Sequence, residues 1–157
     1  MTTSKIQSEV PQVGTGKRGA QGHIGYLLRQ AHSAHRRRME RALSSLGVTL
    51  PQYSVLTMLA AYPGASGADL ARVSLLTPQT MSVIVSNLER IGAVARHAHA
   101  VHGRILRIEV TDAGRSLLAK CRTLAKAEED RLLANLAPDD EATVRRWLVD
   151  TAIHEHD

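Results

Sequence analysis

A chain of 157 residues, 43% hydrophobic and 22% charged, suits one folded domain with extensions rather than a two-domain enzyme, and no apolar run approaches the roughly 20 residues that span a bilayer. A single cysteine, Cys121, excludes an intramolecular disulfide and a four-thiolate zinc site, and 3% aromatics without any Phe disfavours a binder that stacks single-stranded bases. The net charge of +5 is uneven, with eight Lys and Arg against two carboxylates in residues 1–48, five against three in 49–111 and seven against ten in 112–157, which suits a polyanion partner.

Residues 1–22 are rich in Thr, Ser, Gln and Gly, hold Pro11 and show no apolar period, so a flexible arm is expected there. Met1-Thr2-Thr3-Ser4-Lys5 leads into no apolar signal segment, and a soluble, cytoplasmic protein with no membrane partner is expected. Gly14, Gly16 and Gly19 spell G-x-G-x-x-G, but a dinucleotide site needs a buried strand before the motif and a helix after it. Neither context is present, and Gly16-Lys17-Arg18 lacks the flanking residues of a phosphate loop, so no cofactor is expected.

Residues 23–157 read as one domain. Ile24, Leu27, Leu28, Ala31, Met39, Ala42, Leu43 and Leu46 recur at spacings of three and four, which predicts an amphipathic helix ended by Gly47, with Arg29, Arg36, Arg37, Arg38 and Arg41 on its other face. Pro51 opens a second helix that closes before Pro63-Gly64. Ser66 with Asp69 forms a capping-box pattern for a short third helix, and Thr77-Pro78 starts a fourth that runs to Ile91 before Gly92. Apolar alternation then predicts a two-stranded hairpin, from Ala93–Arg96 across a polar tip with Gly103 to Ile105–Val110. Thr111-Asp112 and Pro138-Asp139-Asp140-Glu141 start two last helices. The fold class is mainly α with one small hairpin, a winged helix-turn-helix.

The fourth helix separates into two faces. Met81, Ile84, Val85, Leu88 and Ile91 can pack inward, while Gln79, Thr80, Ser82, Val83, Ser86, Asn87 and Arg90 point outward. Amides, hydroxyls and one Arg, almost without carboxylates, suit base edges and phosphates of a major groove, with Gln79 and Thr80 at the end that enters deepest. Ser66, Thr77, Pro78, Arg96, His102 and Arg104 flank this face as further candidate contacts to double-stranded DNA.

The segment L-A-R-V-S-L-L-T-P-Q-T-M-S-V-I-V-S-N-L-E-R-I-G-A-V-A-R from Leu70 to Arg96, Gly103-Arg104, and V-T-D-A-G-R from Val110 to Arg115 resemble the MarR family of multiple antibiotic resistance regulators. The resemblance extends over about residues 23–155. It implies a homodimeric bacterial transcription regulator with a reading lobe over about 49–111 and dimerisation helices over about 23–47 and 112–155. It further implies a pseudo-palindromic operator, and a wing-tip Arg, matched here by Arg104, in the minor groove. Many members carry an Asp two residues before that Arg; His102 stands there instead, which puts the support of Arg104 in doubt and makes the wing open to titration. In relatives, small and often aromatic acids bind between the first, second and fifth helices. That cleft would draw on Tyr26, Arg29, His35, Met39, Tyr53 and Met58, a mixture suited to an organic anion.

His97, His99 and His102 on the wing and His32 and His35 on the first helix raise a metal site, but spacing alone does not make one, and no metal is assigned. Cys121 falls on an apolar stripe and reads as a small buried hydrophobe. No nucleophile stands with a base at motif spacing, so no enzyme is expected. The leading expectation is a repressor released by a small organic acid. The alternatives are a metal-responsive or ligand-independent DNA-binding regulator, and a protein-interaction module that uses the fold as scaffold.

Overall fold

The computed structural model describes residues 10–98 and 106–153. Two compact units emerge, Met1–Arg37 and Arg38–Asp157, and the first long helix, α1 (Ile24–Ser44), runs through the boundary. In the first unit the glycine-rich stretch closes on itself around a 3-10 turn at Gly16–Arg18, with the Gly14 N–H donating to the Arg18 carbonyl at 3.1 Å. The Arg18 guanidinium donates to the Pro11 carbonyl at 2.8 Å, and Gln30 Nε2 donates to the Arg18 carbonyl at 3.1 Å. The Gly motif therefore builds a local reversal; no strand precedes it among the described residues.

In the second unit, helices α2 (Leu50–Ala61), α3 (Gly67–Val73) and α4 (Pro78–Arg90) precede strands β1 (Val94–Ala98) and β2 (Leu106–Val110), and α5 (Asp112–Leu133) and α6 (Pro138–Ile153) follow. Each start has a local cause. Thr49 caps α2 in a reciprocal box with Gln52, one residue ahead of the start expected at Pro51; its hydroxyl accepts from the Gln52 N–H, and the Gln52 amide accepts from the Thr49 N–H at 2.9 Å. Thr77 and Thr111 cap α4 and α5 by accepting from the Thr80 and Gly114 N–H groups. Gly92, at φ +75°, ends α4 in the left-handed region that β-carbons disfavour.

The strands pair antiparallel from Val94↔Val110 to Ala98↔Leu106. A third segment joins them: Ser66 bridges Arg107, and the Ile108 N–H donates to the Ala65 carbonyl at 3.3 Å. The residue before α3 is thereby fixed to the wing. Beneath this frame, Leu56, Leu70, Met81, Val85, Leu88 and Ile108 form the centre of one core, each such side chain worth about 1.5–3 kcal/mol on burial. A smaller cluster joins Met39, Leu43, Val48 and Cys121, and half-buried Tyr53 packs against both. The buried Glu128 carboxylate, on α5, accepts from Arg131 at 3.2 Å and lies 3.8 Å from Arg38 Nε, which offsets its desolvation.

Ile91 departs from the inward face expected of it. It is 45% exposed because α4 ends at Arg90 and Ile91 sits at the C-cap, off the helical register. None of the α6 residues is buried, although the helix carries Val144, Trp147, Leu148, Val149 and Ile153.

Candidate nucleic-acid interface

The start of α3 is a closed circuit of polar groups. Ser66 Oγ donates to Asp69 Oδ2 at 2.7 Å and accepts from the Asp69 N–H at 3.2 Å, and Arg72 pairs with the same carboxylate at 3.2 Å. The Ser66 hydroxyl, then the Ser66 N–H and the Arg72 charge hold the Asp69 carboxyl below the usual carboxylate value. At the next start, Thr77 Oγ1 accepts from the Thr80 N–H at 3.2 Å and donates to Thr80 Oγ1 at 2.9 Å. The side chains of Ser66 and Thr77 are thus engaged as caps at the starts of α3 and α4. Thr80 keeps its own hydroxyl hydrogen for an outward bond.

Along α4, Pro78, Gln79, Thr80, Ser82, Val83, Ser86 and Arg90 are exposed and Asn87 is half-buried. The Gln79 and Arg90 side chains have no hydrogen-bond partner among the described residues, and they stand at opposite ends of the helix. Val83, 61% exposed, adds an apolar contact of the size of a thymine methyl group. Arg96 sits differently from the other expected contacts. Its guanidinium donates to Ser86 Oγ at 3.1 Å and lies 3.1 Å from Glu89 Oε2, which ties β1 to α4. Glu89 was not singled out from sequence, since a carboxylate on a DNA-reading helix has a role only once its partner across the fold is known.

A groove of about 370 Å³ opens between the starts of α3 and α4 and the two strands, with Ser66, Pro78, Met81, Ser82, Arg96 and Leu106 among its walls. His97 Nε2, on β1, lies 3.9 Å from Glu109 Oε2, both well exposed. His99, His102 and Arg104 lie outside the described residues. Among the described residues no group of three His, Cys, Asp or Glu side chains is placed to hold a metal ion. Cys121 is fully buried, and burial pushes its thiol up, away from the reactive thiolate. Of the residues expected around an effector, Tyr26, Arg29 and His35 belong to the first unit and Met39, Tyr53 and Met58 to the second. Within the first unit Arg29 stands 5.9 Å over the Tyr26 ring; within the second Met39 is buried and Met58 packs on the larger core.

The MarR family model matches residues 46–105, the span from the turn before α2 into the wing. The HTH-type transcriptional repressor Rv2887 of Mycobacterium tuberculosis is 39% identical over 125 residues, which cover 80% of this chain and 90% of the relative. The chain belongs to the MarR family. It is therefore a DNA-binding transcription regulator of winged-helix type and not an enzyme. A crystal structure of Rv2887 with p-aminosalicylic acid superposes with a TM-score of 0.68 at 36% identity, covering 83% of this chain and 98% of that one. A crystal structure of Rv2887 with DNA also gives 0.68, at 34% identity, covering 82% and 97%. Among the described residues of this MarR-family chain, no helix is long and apolar enough to cross a membrane.

Proposed function

We propose that this chain is a homodimeric cytoplasmic repressor that holds a pseudo-palindromic duplex operator and releases it when a small organic acid binds. The observation that carries the reading is the exposed face of α4, where Gln79, Thr80, Ser82, Val83 and Arg90 offer hydrogen bonds and a methyl contact to base edges beside a basic wing. The relative Rv2887 is crystallised with DNA, which supports a duplex as the partner here. Arg104 is the wing residue assigned to the minor groove, beside His102.

Two-fold assembly is supported by α6. Val144, Trp147, Leu148, Val149 and Ile153 are 38–59% exposed, an apolar surface that a second copy would cover and that would set the spacing of two reading lobes. In this reading residues 1–22 are an arm, about 49–111 the reading lobe, and about 23–47 and 112–155 the dimerisation helices. The acid is supported by the relative's crystal structures with salicylic and p-aminosalicylic acids. Release requires the acid to prefer the DNA-incompetent dimer, and each tenfold of preference moves the balance by about 1.4 kcal/mol.

The test begins with a duplex recovered by the wild-type chain from a random-sequence library. Affinity for it is then measured with and without salicylate, and with zinc, and the mass of the free protein is measured by light scattering. A dimer that binds the duplex and loses affinity in salicylate is expected. A monomer at micromolar concentration, or a chain that recovers no duplex, would overturn the reading. Zinc in place of salicylate as the effective ligand would replace the organic acid with a metal.

A further inference from the structure

Arg96 projects from β1 to α4, and its side chain is only 29% exposed. Its two terminal nitrogens are divided between residues one turn apart on α4, with Nη2 donating to Ser86 Oγ and Nη1 pairing with Glu89 Oε2, both at 3.1 Å. A planar guanidinium held at both nitrogens is fixed in orientation as well as position. The opposite strand is already fixed elsewhere, because Ile108, the cross-strand partner of Arg96, is 4% exposed and donates its N–H to the Ala65 carbonyl before α3. The wing is therefore attached to the reading motif at two places, by backbone to the start of α3 and by Arg96 to the flank of α4.

We propose that Arg96, Ser86 and Glu89 are a brace that sets the angle between the wing and α4. Arg96 and Ser86 are positioning residues, and the span between the two groove contacts is what they determine. The inference rests on the reading that this lobe grips a duplex through helix and wing.

The brace and a direct phosphate contact by Arg96 make opposite statements about Glu89. If Arg96 served a phosphate, Glu89 would compete for it, and neutralising Glu89 would free the guanidinium and remove a negative charge facing a polyanion. Affinity would rise. If the three residues form a brace, the same change removes an anchor, and affinity falls although the net charge becomes more favourable.

Glu89→Gln, Ser86→Ala, Arg96→Ala and Arg96→Lys are compared with wild type on the duplex recovered from the random library, across a salt series and by hydroxyl-radical footprinting. Glu89→Gln and Arg96→Ala are each expected to weaken binding roughly tenfold, and the double variant to be no weaker than either single one. The slope of log affinity against log salt becomes shallower by the same amount in Glu89→Gln as in Arg96→Ala, because in both it is the unbraced wing that leaves the duplex. Protection by the wing fades at the outer edge of the footprint while protection by α4 remains, and Arg96→Lys restores part of it. Tighter binding by Glu89→Gln would overturn the brace, as would a slope shallower by about 0.9 in Arg96→Ala and unchanged in Glu89→Gln, the signature of one phosphate held by Arg96 itself. Should thermal unfolding show the charged variants to be destabilised, Ser86→Ala decides: weaker binding with the wing's protection reduced and that of α4 kept supports the brace, and unchanged affinity or a loss confined to α4 refutes it. A wild-type chain that recovers no duplex would instead overturn the underlying reading of the lobe.

Discussion

Gly114 is the sharpest place to test how the wing joins the long helix, because helix propensity and packing there predict changes of opposite sign. The residue lies in the first turn of α5 and is buried. A β-carbon built on it would run into the Ala93 carbonyl oxygen, and would stand 2.8 Å from both the Ala93 carbonyl carbon and Val110 Cγ1. The carbonyl cannot give way freely, since its oxygen accepts the Thr111 N–H at 3.1 Å. Propensity alone favours Ala over Gly by up to about 1 kcal/mol. Forcing a methyl group into a filled core costs about 1–3 kcal/mol, and straining the Thr111 bond adds about 1 kcal/mol. Gly114→Ala is therefore expected to destabilise by about 1–3 kcal/mol, which for a chain of this size lowers Tm by roughly 2–4 °C per kcal/mol. Thermal and urea unfolding at one fixed protein concentration measure it, so that any association contributes equally to both proteins. A raised Tm would refute the packing argument and leave propensity in command.

Leu75 has φ +54° and is 93% exposed in the turn between α3 and α4, so Leu75→Gly relieves a left-handed strain of about 1–2 kcal/mol against a smaller entropic loss and should raise stability by about 0.5–1 kcal/mol. A lower urea midpoint would contradict it. Gln79→Ala should cost about 1–3 kcal/mol on the selected duplex and relax preference at one base pair, whereas Arg104→Ala should weaken all duplexes, AT-rich flanks most. Equal losses on every sequence for Gln79→Ala would remove it from base readout, and unchanged affinity for Arg104→Ala would remove it from the wing contact. The Asp69 carboxyl is held below its ordinary value in the folded chain, so its contribution is complete above the unfolded value and disappears as pH falls through the lower, folded one. Asp69→Asn should flatten the loss of stability on acidification below about pH 4, and unfolding midpoints with the same acid dependence as wild type would refute this.

The helices were legible because their ends carry chemistry at fixed offsets: Ser66 with Asp69, Thr77 with Pro78 and Thr111 before α5 all appear as caps in the structure. Thr49 with Gln52 carried the same signal, but Pro51 is the louder residue and drew the expected start one position late. The Ser66 bridge to Arg107 involves one residue pair, too short to leave any alternation in the sequence. On α4 the inward and outward faces follow from a period of 3.6 until the helix stops, which is why Ile91 alone leaves the expected face. The sequence offers Arg96 as a contact because a cation near a reading helix suits DNA, and it gives no sign of the tie to α4. Its partners lie on another element, and nothing in the chain marks which carboxylate turns towards it.

Thr111 gives the join between lobe and long helix its mechanical character. Its hydroxyl donates to the Gly92 carbonyl at 2.6 Å and accepts from the Gly114 N–H at 3.0 Å, so one oxygen closes the end of the reading helix and opens α5. Its N–H holds the Ala93 carbonyl, and Gly114 brings the backbones together there. No slack residue separates the two helices at this point. In a two-fold assembly, a tilt of α5 would thus be delivered to α4 as a rigid lever delivers it, enlarged by the distance to the groove. Regulation would then require only a small change at the fulcrum, and no remodelling of the surface that reads the bases.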